Sequence, residues 1–163
     1  MTSAINRRQF LSGDVAGRRK ALRPPWALSE AAFVARCTGC GDCVAACPAR
    51  ILLTDRAGFA AVDFSRGECD FCGACVAACP ATALQRNPGD APWHLVARID
   101  HERCLGGGNV ECRRCAEPCV SGALRVRLRI GGFSAPEIDA TRCTGCGACY
   151  AVCPVQAVSL TMN

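Results

Sequence analysis

Residues 37–48 read CTGCGDCVAACP, and this stretch decides the fold. Its four cysteines follow the spacing C-x2-C-x2-C-x3-C, and a proline comes directly after the last one. The same pattern recurs at 69–80 (CDFCGACVAACP) and at 143–154 (CTGCGACYAVCP). Residues 104–119 keep four cysteines but have a wider first gap. The chain therefore carries one cysteine motif four times, which indicates an internal repeat.

Sixteen of the 163 residues are cysteine, and they fall into four quartets. The quartets are Cys37, Cys40, Cys43, Cys47; Cys69, Cys72, Cys75, Cys79; Cys104, Cys112, Cys115, Cys119; and Cys143, Cys146, Cys149, Cys153. This spacing is typical of the bacterial ferredoxin motif, whose thiolates hold [4Fe–4S] clusters. Zinc sites usually consist of two separated C-x2-C pairs. Disulfides suit secreted chains, and we expect no cleavable secretory signal here. The quartets therefore predict iron–sulfur clusters.

The spacing also predicts which cysteines share a cluster. In two-cluster ferredoxins the fourth cysteine of each motif binds the cluster of the other motif. Pairing the motifs in chain order gives four ligand sets. They are Cys37, Cys40, Cys43 and Cys79; Cys69, Cys72, Cys75 and Cys47; Cys104, Cys112, Cys115 and Cys153; and Cys143, Cys146, Cys149 and Cys119. A glycine follows the second cysteine of each intact motif, at Gly41, Gly73 and Gly147, and permits an unusual φ there.

Short strand-like segments flank the motifs. They lie at Ile51–Thr54, Ala60–Phe64, Ala83–Arg86, His94–Ile99, Leu124–Ile130 and Ala157–Thr161. We therefore predict an α+β fold of two tandem bacterial two-cluster ferredoxin-like domains. Each domain would contain two repeats of strand, cysteine loop with short helix, and strand. The predicted bounds are a basic N-terminal segment at 1–30, a first domain at 31–90 and a second domain at 91–163, with the joint in NPGDAP at 87–92.

The third motif departs from the others. Seven residues, 105–111 (LGGGNVE), separate its first two cysteines, and the three glycines predict a mobile insertion. Arg113 replaces the usual glycine, Arg114 follows it, and Val120 replaces the usual proline. In one interpretation the site holds a cluster whose reduction potential is raised by nearby positive charge. In the other, Cys104 has left the ligand set and the chain holds three clusters. The persistence of all four cysteines favours the first interpretation.

Charge is concentrated at the N-terminus, where residues 1–36 contain seven basic and two acidic residues. Residues 6–12 (NRRQFLS) are similar to a twin-arginine export signal, but no apolar stretch follows, so we expect a cytoplasmic protein. No apolar run is long enough to predict a membrane span. The basic segment lacks interleaved aromatic residues, so no nucleic-acid partner is expected. Ser29 is predicted to cap a helix that ends near Arg36, and Trp26 is predicted to be a packing anchor.

No nucleophile motif, acid–base pair or dinucleotide fingerprint is found, which favours electron transfer over enzyme catalysis. Arg7-Arg8, the RPPW stretch at 23–26 and the VECRRC stretch at 110–115 resemble the NapF family of ferredoxin-type proteins of the periplasmic nitrate reductase system. The resemblance implies a cytoplasmic accessory protein that contacts the precursor of NapA, the molybdenum-containing catalytic subunit. It would assist maturation before export by transferring electrons or supporting cluster assembly. The alternative is a general multi-cluster electron carrier or an electron-transfer subunit of an oxidoreductase complex. The sequence does not identify the electron donor.

Overall fold

Short helices and paired short strands make up the computed structural model, which describes residues 21–108, 110–128 and 134–162. The helices are α1 (Glu30–Arg36), α2 (Asp42–Ala45), α3 (Ala74–Ala77) and α4 (Ala148–Ala151), with 3₁₀ turns at Phe64–Arg66 and Leu105–Gly108. The strands are β1 (Leu52–Thr54), β2 (Ala60–Val62), β3 (Leu95–Ile99), β4 (Leu124–Leu128), β5 (Ser134–Ile138) and β6 (Val158–Met162). The Arg7-Arg8 pair and the rest of the basic segment up to residue 20 lie outside the described residues.

The chain divides into two units. The first contains the described residues up to Asp63 together with Gly73–Asp90, and the second contains Phe64–Cys72 together with the described residues from Ala91 onward. The boundary between the units at Asp90 and Ala91 lies inside the predicted NPGDAP joint. Residues 64–72 lie in the predicted first domain but group with the second unit. The predicted domain bounds remain a prediction.

Aromatic packing and one backbone hydrogen bond explain the grouping of residues 64–72. The rings of Phe64 and Phe71 pack edge-on against Trp93, with centroid distances of 5.5 and 5.9 Å. The Cys69 N–H donates to the Cys146 carbonyl at 2.8 Å. Both interactions join residues far apart in sequence, so motif spacing does not reveal them.

The first unit contains a small antiparallel sheet. Strands β1 and β2 pair with Leu52 opposite Val62, and the turn between them is held by Asp55, whose Oδ1 accepts the N–H groups of Ala57 and Phe59. The strand predicted at Ala83–Arg86 is reduced to a single bridge between Leu84 and Ala27. The two prolines that precede Trp26 have no N–H groups, so this ladder cannot extend in their direction.

The second unit contains two more antiparallel pairs. Strand β3 pairs with β6, with Ile99 opposite Val158, and β4 pairs with β5, with Val126 opposite Pro136. The sequence analysis missed β5 because a proline in its centre argues against a strand. A two-stranded sheet consists only of edges, so Pro136 costs this sheet little. Buried Ala97, Cys115, Leu124 and Val158 form the core of this unit, and further cysteines pack against them.

Arg23 is a structural residue of the first unit. Its guanidinium pairs with Glu30 and with Asp55, each at 2.8 Å, and donates to the Ala60 carbonyl at 3.1 Å. It also lies over the rings of Phe33 and Phe59, at 5.0 and 5.6 Å from their centroids. Because its side chain is only 14% exposed, Arg23 is part of the packed unit and is not available as a free docking charge.

The residues next to Arg23 are packed as well. Trp26 is buried, as predicted, and the Arg86 guanidinium lies 4.7 Å from the centroid of its ring. Helix α1 ends at Arg36, as predicted, and begins after Ser29, whose carbonyl accepts the Phe33 N–H at 2.8 Å. Among the described residues, however, the Ser29 side chain makes no capping hydrogen bond, so that detail of the prediction is wrong. The RPPW stretch is therefore a structural element.

Arg23→Gln should destabilise the first unit by about 2–4 kcal/mol, because it leaves the half-buried Asp55 carboxylate without its cation. Arg36→Gln is the matched control: its side chain is exposed, and it should change the free energy of unfolding by less than about 0.5 kcal/mol. Chemical denaturation of both variants, purified anaerobically, measures the difference. Equal stabilities of the two variants would contradict the structural role of Arg23.

Candidate metal centres

Each intact motif forms the same loop. The glycine after the second cysteine adopts a left-handed φ, +84° at Gly41, +81° at Gly73 and +89° at Gly147. Each of these glycines precedes a four-residue helix that contains the third cysteine, so α2 carries Cys43, α3 carries Cys75 and α4 carries Cys149. The predicted unusual φ is confirmed at all three positions, and only glycine adopts it without strain.

A second left-handed residue follows each motif, three positions after its last cysteine. These residues are Arg50 (φ +53°), Thr82 (+49°), Gly122 (+60°) and Gln156 (+51°). The N–H of each one donates to the carbonyl of the preceding fourth cysteine, at 2.9–3.3 Å. The sequence analysis missed this turn because Arg, Thr and Gln give no indication of a positive φ.

Backbone N–H groups also donate to three of the cysteine sulfurs. Ala157 N–H lies 3.2 Å from Cys153 Sγ, and Leu124 N–H lies 3.3 Å from Cys119 Sγ. Ala97 N–H lies 3.5 Å from Cys143 Sγ. Hydrogen bonds to ligand sulfurs hold and orient the ligands of a metal site.

The first predicted ligand set lies together in the first unit. Its four cysteines line one recess of about 420 Å³, a volume that includes space open to solvent. They are Cys37, Cys40, Cys43 and Cys79. Burial, together with the negative charges of the other three thiolates, raises the pKa of the Cys43 thiol to about 11. The structure thus brings the fourth cysteine of the second motif to the first three of the first motif.

The third predicted set also lies together, in the second unit. Its members are Cys104, Cys112, Cys115 and Cys153, which line a recess of about 360 Å³ that likewise includes open space. Burial, with the charges of Cys104, Cys112 and Cys153, raises the pKa of the Cys115 thiol to about 11. Cys104 therefore lies next to its predicted partners, which weighs against the interpretation that it has left the set.

Part of the glycine-rich insertion of the third motif is packed: Gly106 is buried, whereas Gly107, Gly108 and Val110 are exposed. Leu105–Gly108 forms a 3₁₀ turn, and the Gly107 N–H donates to the Cys104 carbonyl at 2.9 Å. A Cβ at the buried Gly106 would lie 2.9 Å from the Ser134 carbonyl oxygen of β5, and one at Gly107 would collide with the His101 carbonyl. Gly106 and Gly107 therefore permit close packing of the segment that follows Cys104.

The fourth predicted set is brought together around Cys149. Burial, with the charges of Cys146, Cys143, Cys115 and Cys119, raises the pKa of the Cys149 thiol to about 12. Three of these neighbours complete the predicted set, and Cys115 belongs to the third set. The third and fourth sets therefore lie next to each other within the second unit.

The four cysteines of the second predicted set are divided between the two units. Its members Cys47 and Cys75 belong to the first unit, and Cys69 and Cys72 belong to the second. Cys72 N–H donates to Asp70 Oδ1 at 3.3 Å. Phe71, between Cys69 and Cys72, has a φ of +57° at the position where Gly39 and Gly145 stand in other motifs. This set remains a prediction from the motif spacing.

The donor chemistry fits iron–sulfur clusters. Several buried thiols with raised pKa values cannot all ionise near neutral pH unless a cation neutralises them, and iron does so. Soft thiolates also select this kind of group. Within residues 21–108, 110–128 and 134–162, no three His, Cys, Asp or Glu side chains are grouped so that they could hold a single metal ion. The thiols of the first and third sets instead line recesses.

Comparison with known proteins identifies the family. The sequence model of a 4Fe-4S dicluster domain matches residues 36–83 and 108–157. Ferredoxin-type protein NapF of Haemophilus influenzae is 43% identical over 170 residues, covering 98% of this chain and 94% of that protein. Ferredoxin-type protein NapF of Escherichia coli is 38% identical over 154 residues, covering 94% and 93%. The chain belongs to the NapF family of ferredoxin-type proteins.

Membership in the NapF family agrees with the observed architecture. The two dicluster matches and the small helix and strand units correspond to a tandem ferredoxin-like arrangement that binds multiple [4Fe–4S] clusters. Ferredoxin-type protein NapG of Escherichia coli is a further relative, 33% identical over 155 residues, with 83% of this chain and 67% of that protein covered. Among the described residues, no helix combines the length and apolar character needed to cross a membrane.

Gly39→Ala should disrupt the first site. The new Cβ would lie 2.5 Å from the Gly58 carbonyl oxygen, in a residue whose φ is +72°. We expect the loss of about four iron atoms per chain, one [4Fe–4S] cluster, in anaerobic preparations. Gly41→Ala is the control: its φ is +84°, but no described atom outside residues 40–42 lies within 4 Å of the new Cβ. It should cost only backbone strain, about 1 kcal/mol, and retain its iron. Full iron in Gly39→Ala would contradict the expectation.

Proposed function

We propose that this chain is a cytoplasmic iron–sulfur accessory protein with four [4Fe–4S] clusters that assists maturation of the periplasmic nitrate reductase catalytic subunit before export. Its partner would be the precursor of NapA. The observation that carries the proposal is the convergence of four cysteines at the variant third site, which leaves every motif with a complete quartet. Similarity to NapF proteins over nearly the whole chain supports the proposal that the chain acts in the periplasmic nitrate reductase system.

The proposed ligand sets exchange the last cysteine between neighbouring motifs. The charges that raise the pKa of the Cys43, Cys115 and Cys149 thiols include those of Cys79, Cys153 and Cys119, respectively. Each of these three comes from the partner motif. We extend the same rule to Cys69, Cys72, Cys75 and Cys47, so that all sixteen cysteines are ligands.

When bound, [4Fe–4S] clusters accept and donate single electrons. The chain's own residues hold the cysteines in place, bury the third cysteine of the first three motifs (Cys43, Cys75 and Cys115) and direct N–H groups at sulfur. Cys40 and Cys72, in contrast, are exposed. Exposed ligands bring two of the proposed sites to the protein surface, where electrons can pass to or from a partner.

The third site differs from the others in its surrounding charge. Arg114 lines the recess that contains Cys104, Cys112, Cys115 and Cys153. The neighbouring Arg113 forms an ion pair with Glu111 at 3.0 Å, so its charge is largely compensated. Positive charge stabilises the reduced, more negative form of a cluster. The residue that raises the potential of the third site is therefore Arg114 rather than both arginines.

The contact with the client is assigned to residues 2–20. These contain five basic residues and one acidic residue, whereas Arg23 and Trp26 are packed in the first unit. A deletion of residues 2–30 would remove that packing, and its effects on binding and on stability could not be separated. A deletion of residues 2–20 leaves Arg23 and Trp26 in place.

The proposal is tested by binding of the anaerobically purified chain to the NapA precursor and to the mature catalytic subunit. The full chain should bind the precursor, and deletion of residues 2–20 should weaken binding at least tenfold without loss of iron, because a cluster of positive charge is removed. A full-length variant in which the five basic residues are replaced by Gln shows whether binding depends on their charge or on the presence of the segment. Equal capture of the precursor by all three chains would reject the docking role. Electron transfer to mature acceptors with no precursor binding would favour the general carrier.

Arg114→Gln should lower one midpoint potential by roughly 40 mV, since one partly screened charge is worth about 1 kcal/mol to a one-electron couple. Arg113→Gln is the matched control and should leave the midpoints nearly unchanged, because Glu111 already compensates that charge. Redox titration followed by electron paramagnetic resonance measures both. An equal shift in the two variants would show that the charge of Arg113 also acts on the cluster.

A further inference from the structure

Ser121 occupies a position that distinguishes the third motif from the other three. It lies two residues after the last cysteine, where the other motifs have Ala49, Ala81 and Val155. In the structure its Oγ is 3.6 Å from the Sγ of Cys119. The third motif therefore adds a hydroxyl beside a ligand sulfur at a position where the other motifs have a methyl or an isopropyl group.

Ligation of Cys119 would set the direction of this hydrogen bond. The Ala123 N–H points to the Ser121 Oγ at 3.4 Å, so the hydroxyl oxygen already accepts one hydrogen bond. A ligating thiolate has no proton to donate, so the hydroxyl proton is directed to the sulfur. The Ser121 carbonyl accepts a hydrogen bond from Arg142 Nη2 at 2.8 Å, which holds this segment in place. With the Leu124 N–H, Cys119 Sγ then receives two hydrogen bonds.

The sulfur of Cys119 belongs with the fourth ligand set. Its charge acts on Cys149, together with the charges of Cys146 and Cys143. Arg114, which lies in the same motif as Ser121, instead lines the recess of the third set. Arg114 and Ser121, which both distinguish the third motif from the others, therefore lie beside different ligand sets.

We propose that Ser121 is a tuning residue that raises the reduction potential of the [4Fe–4S] cluster bound through Cys119. Hydrogen bonds to cluster sulfurs are one of the determinants of reduction potential, and a bond to a negatively charged sulfur is stronger than one between neutral groups. The proposal rests on the proposed ligation of Cys119. It means that the third motif adjusts two clusters, one through the charge of Arg114 and the other through the hydroxyl of Ser121.

The test compares Ser121→Ala with Ser121→Thr in the anaerobically purified full chain. Dithionite supplies electrons, and each cluster takes up one electron from its 2+ to its 1+ state while dithionite is oxidised. Midpoints are followed by electron paramagnetic resonance, and iron is counted in every sample. We expect Ser121→Ala to shift one midpoint to a more negative potential with full iron, and Ser121→Thr, which keeps the hydroxyl, to retain the original value. Unchanged midpoints in a fully loaded Ser121→Ala would overturn the proposal.

A reciprocal variant covers the case in which Ser121→Ala loses a cluster. Ala81→Ser places a hydroxyl two residues after Cys79, and the next residue, Thr82, has nearly the same φ as Gly122. The midpoint of the cluster that Cys79 binds should become more positive. If Ser121→Ala loses iron and Ala81→Ser shifts no midpoint, the proposal is rejected.

Comparing the midpoints shifted by Ser121→Ala and by Arg114→Gln tests two points separately. One is whether Ser121 tunes a cluster, and the other is whether Cys119 belongs to the fourth ligand set. If Ser121→Ala and Arg114→Gln shift different midpoints, both the role of Ser121 and the exchange of the fourth cysteine are supported. If they shift the same midpoint, the role of Ser121 stands and its assignment to the fourth cluster is wrong. Binding to the NapA precursor does not enter these measurements, so a failure of the maturation role leaves their result unaffected.

Discussion

The placement of cysteine thiols away from water and beside other cysteines is the constraint on which this structure depends. Burial first, and the charges of neighbouring cysteines second, raise the pKa of the thiols of Cys43 and Cys115 to about 11 and that of Cys149 to about 12. Ionisation of these thiols is unfavourable unless a cation lies between the sulfurs. The chain has few large apolar side chains to form an alternative core, so metal binding and folding are expected to be coupled.

The backbone around the sites carries strain that the same interaction offsets. Glycine occupies the left-handed position before each short helix, but Arg50, Thr82 and Gln156 adopt the left-handed conformation after the motifs at a cost of about 1 kcal/mol each. This turn brings the following N–H groups within reach of the ligand sulfurs, as at Ala157. A conformation that is unfavourable for the isolated segment is therefore found where backbone N–H groups reach cysteine sulfurs.

The third motif shows how far the local sequence can change while the site persists. The Arg113 carbonyl accepts the N–H groups of Ala116 and Glu117, just as the Gly41 carbonyl accepts those of Val44 and Ala45. Gly106 of the insertion packs against β5, and Cys104 lies beside Cys115. What changes is the charge and the hydrogen bonding around the sulfurs, through Arg114 and Ser121.

The sequence by itself determined the motif loops, helix α1, most of the strands and which cysteines lie together around Cys43, Cys115 and Cys149, because each depends on local spacing or on the pairing rule of two-cluster ferredoxins. Only the tertiary structure decided the packing of Arg23 and of the Gly106 turn, the strand β5 with its central proline, and the grouping of residues 64–72 with Trp93. These features depend on contacts between residues far apart in the chain, and such contacts leave no periodic pattern in the sequence. The same reason explains why the sequence alone does not show that Arg114 lines the recess of Cys115 or that Ser121 lies beside Cys119.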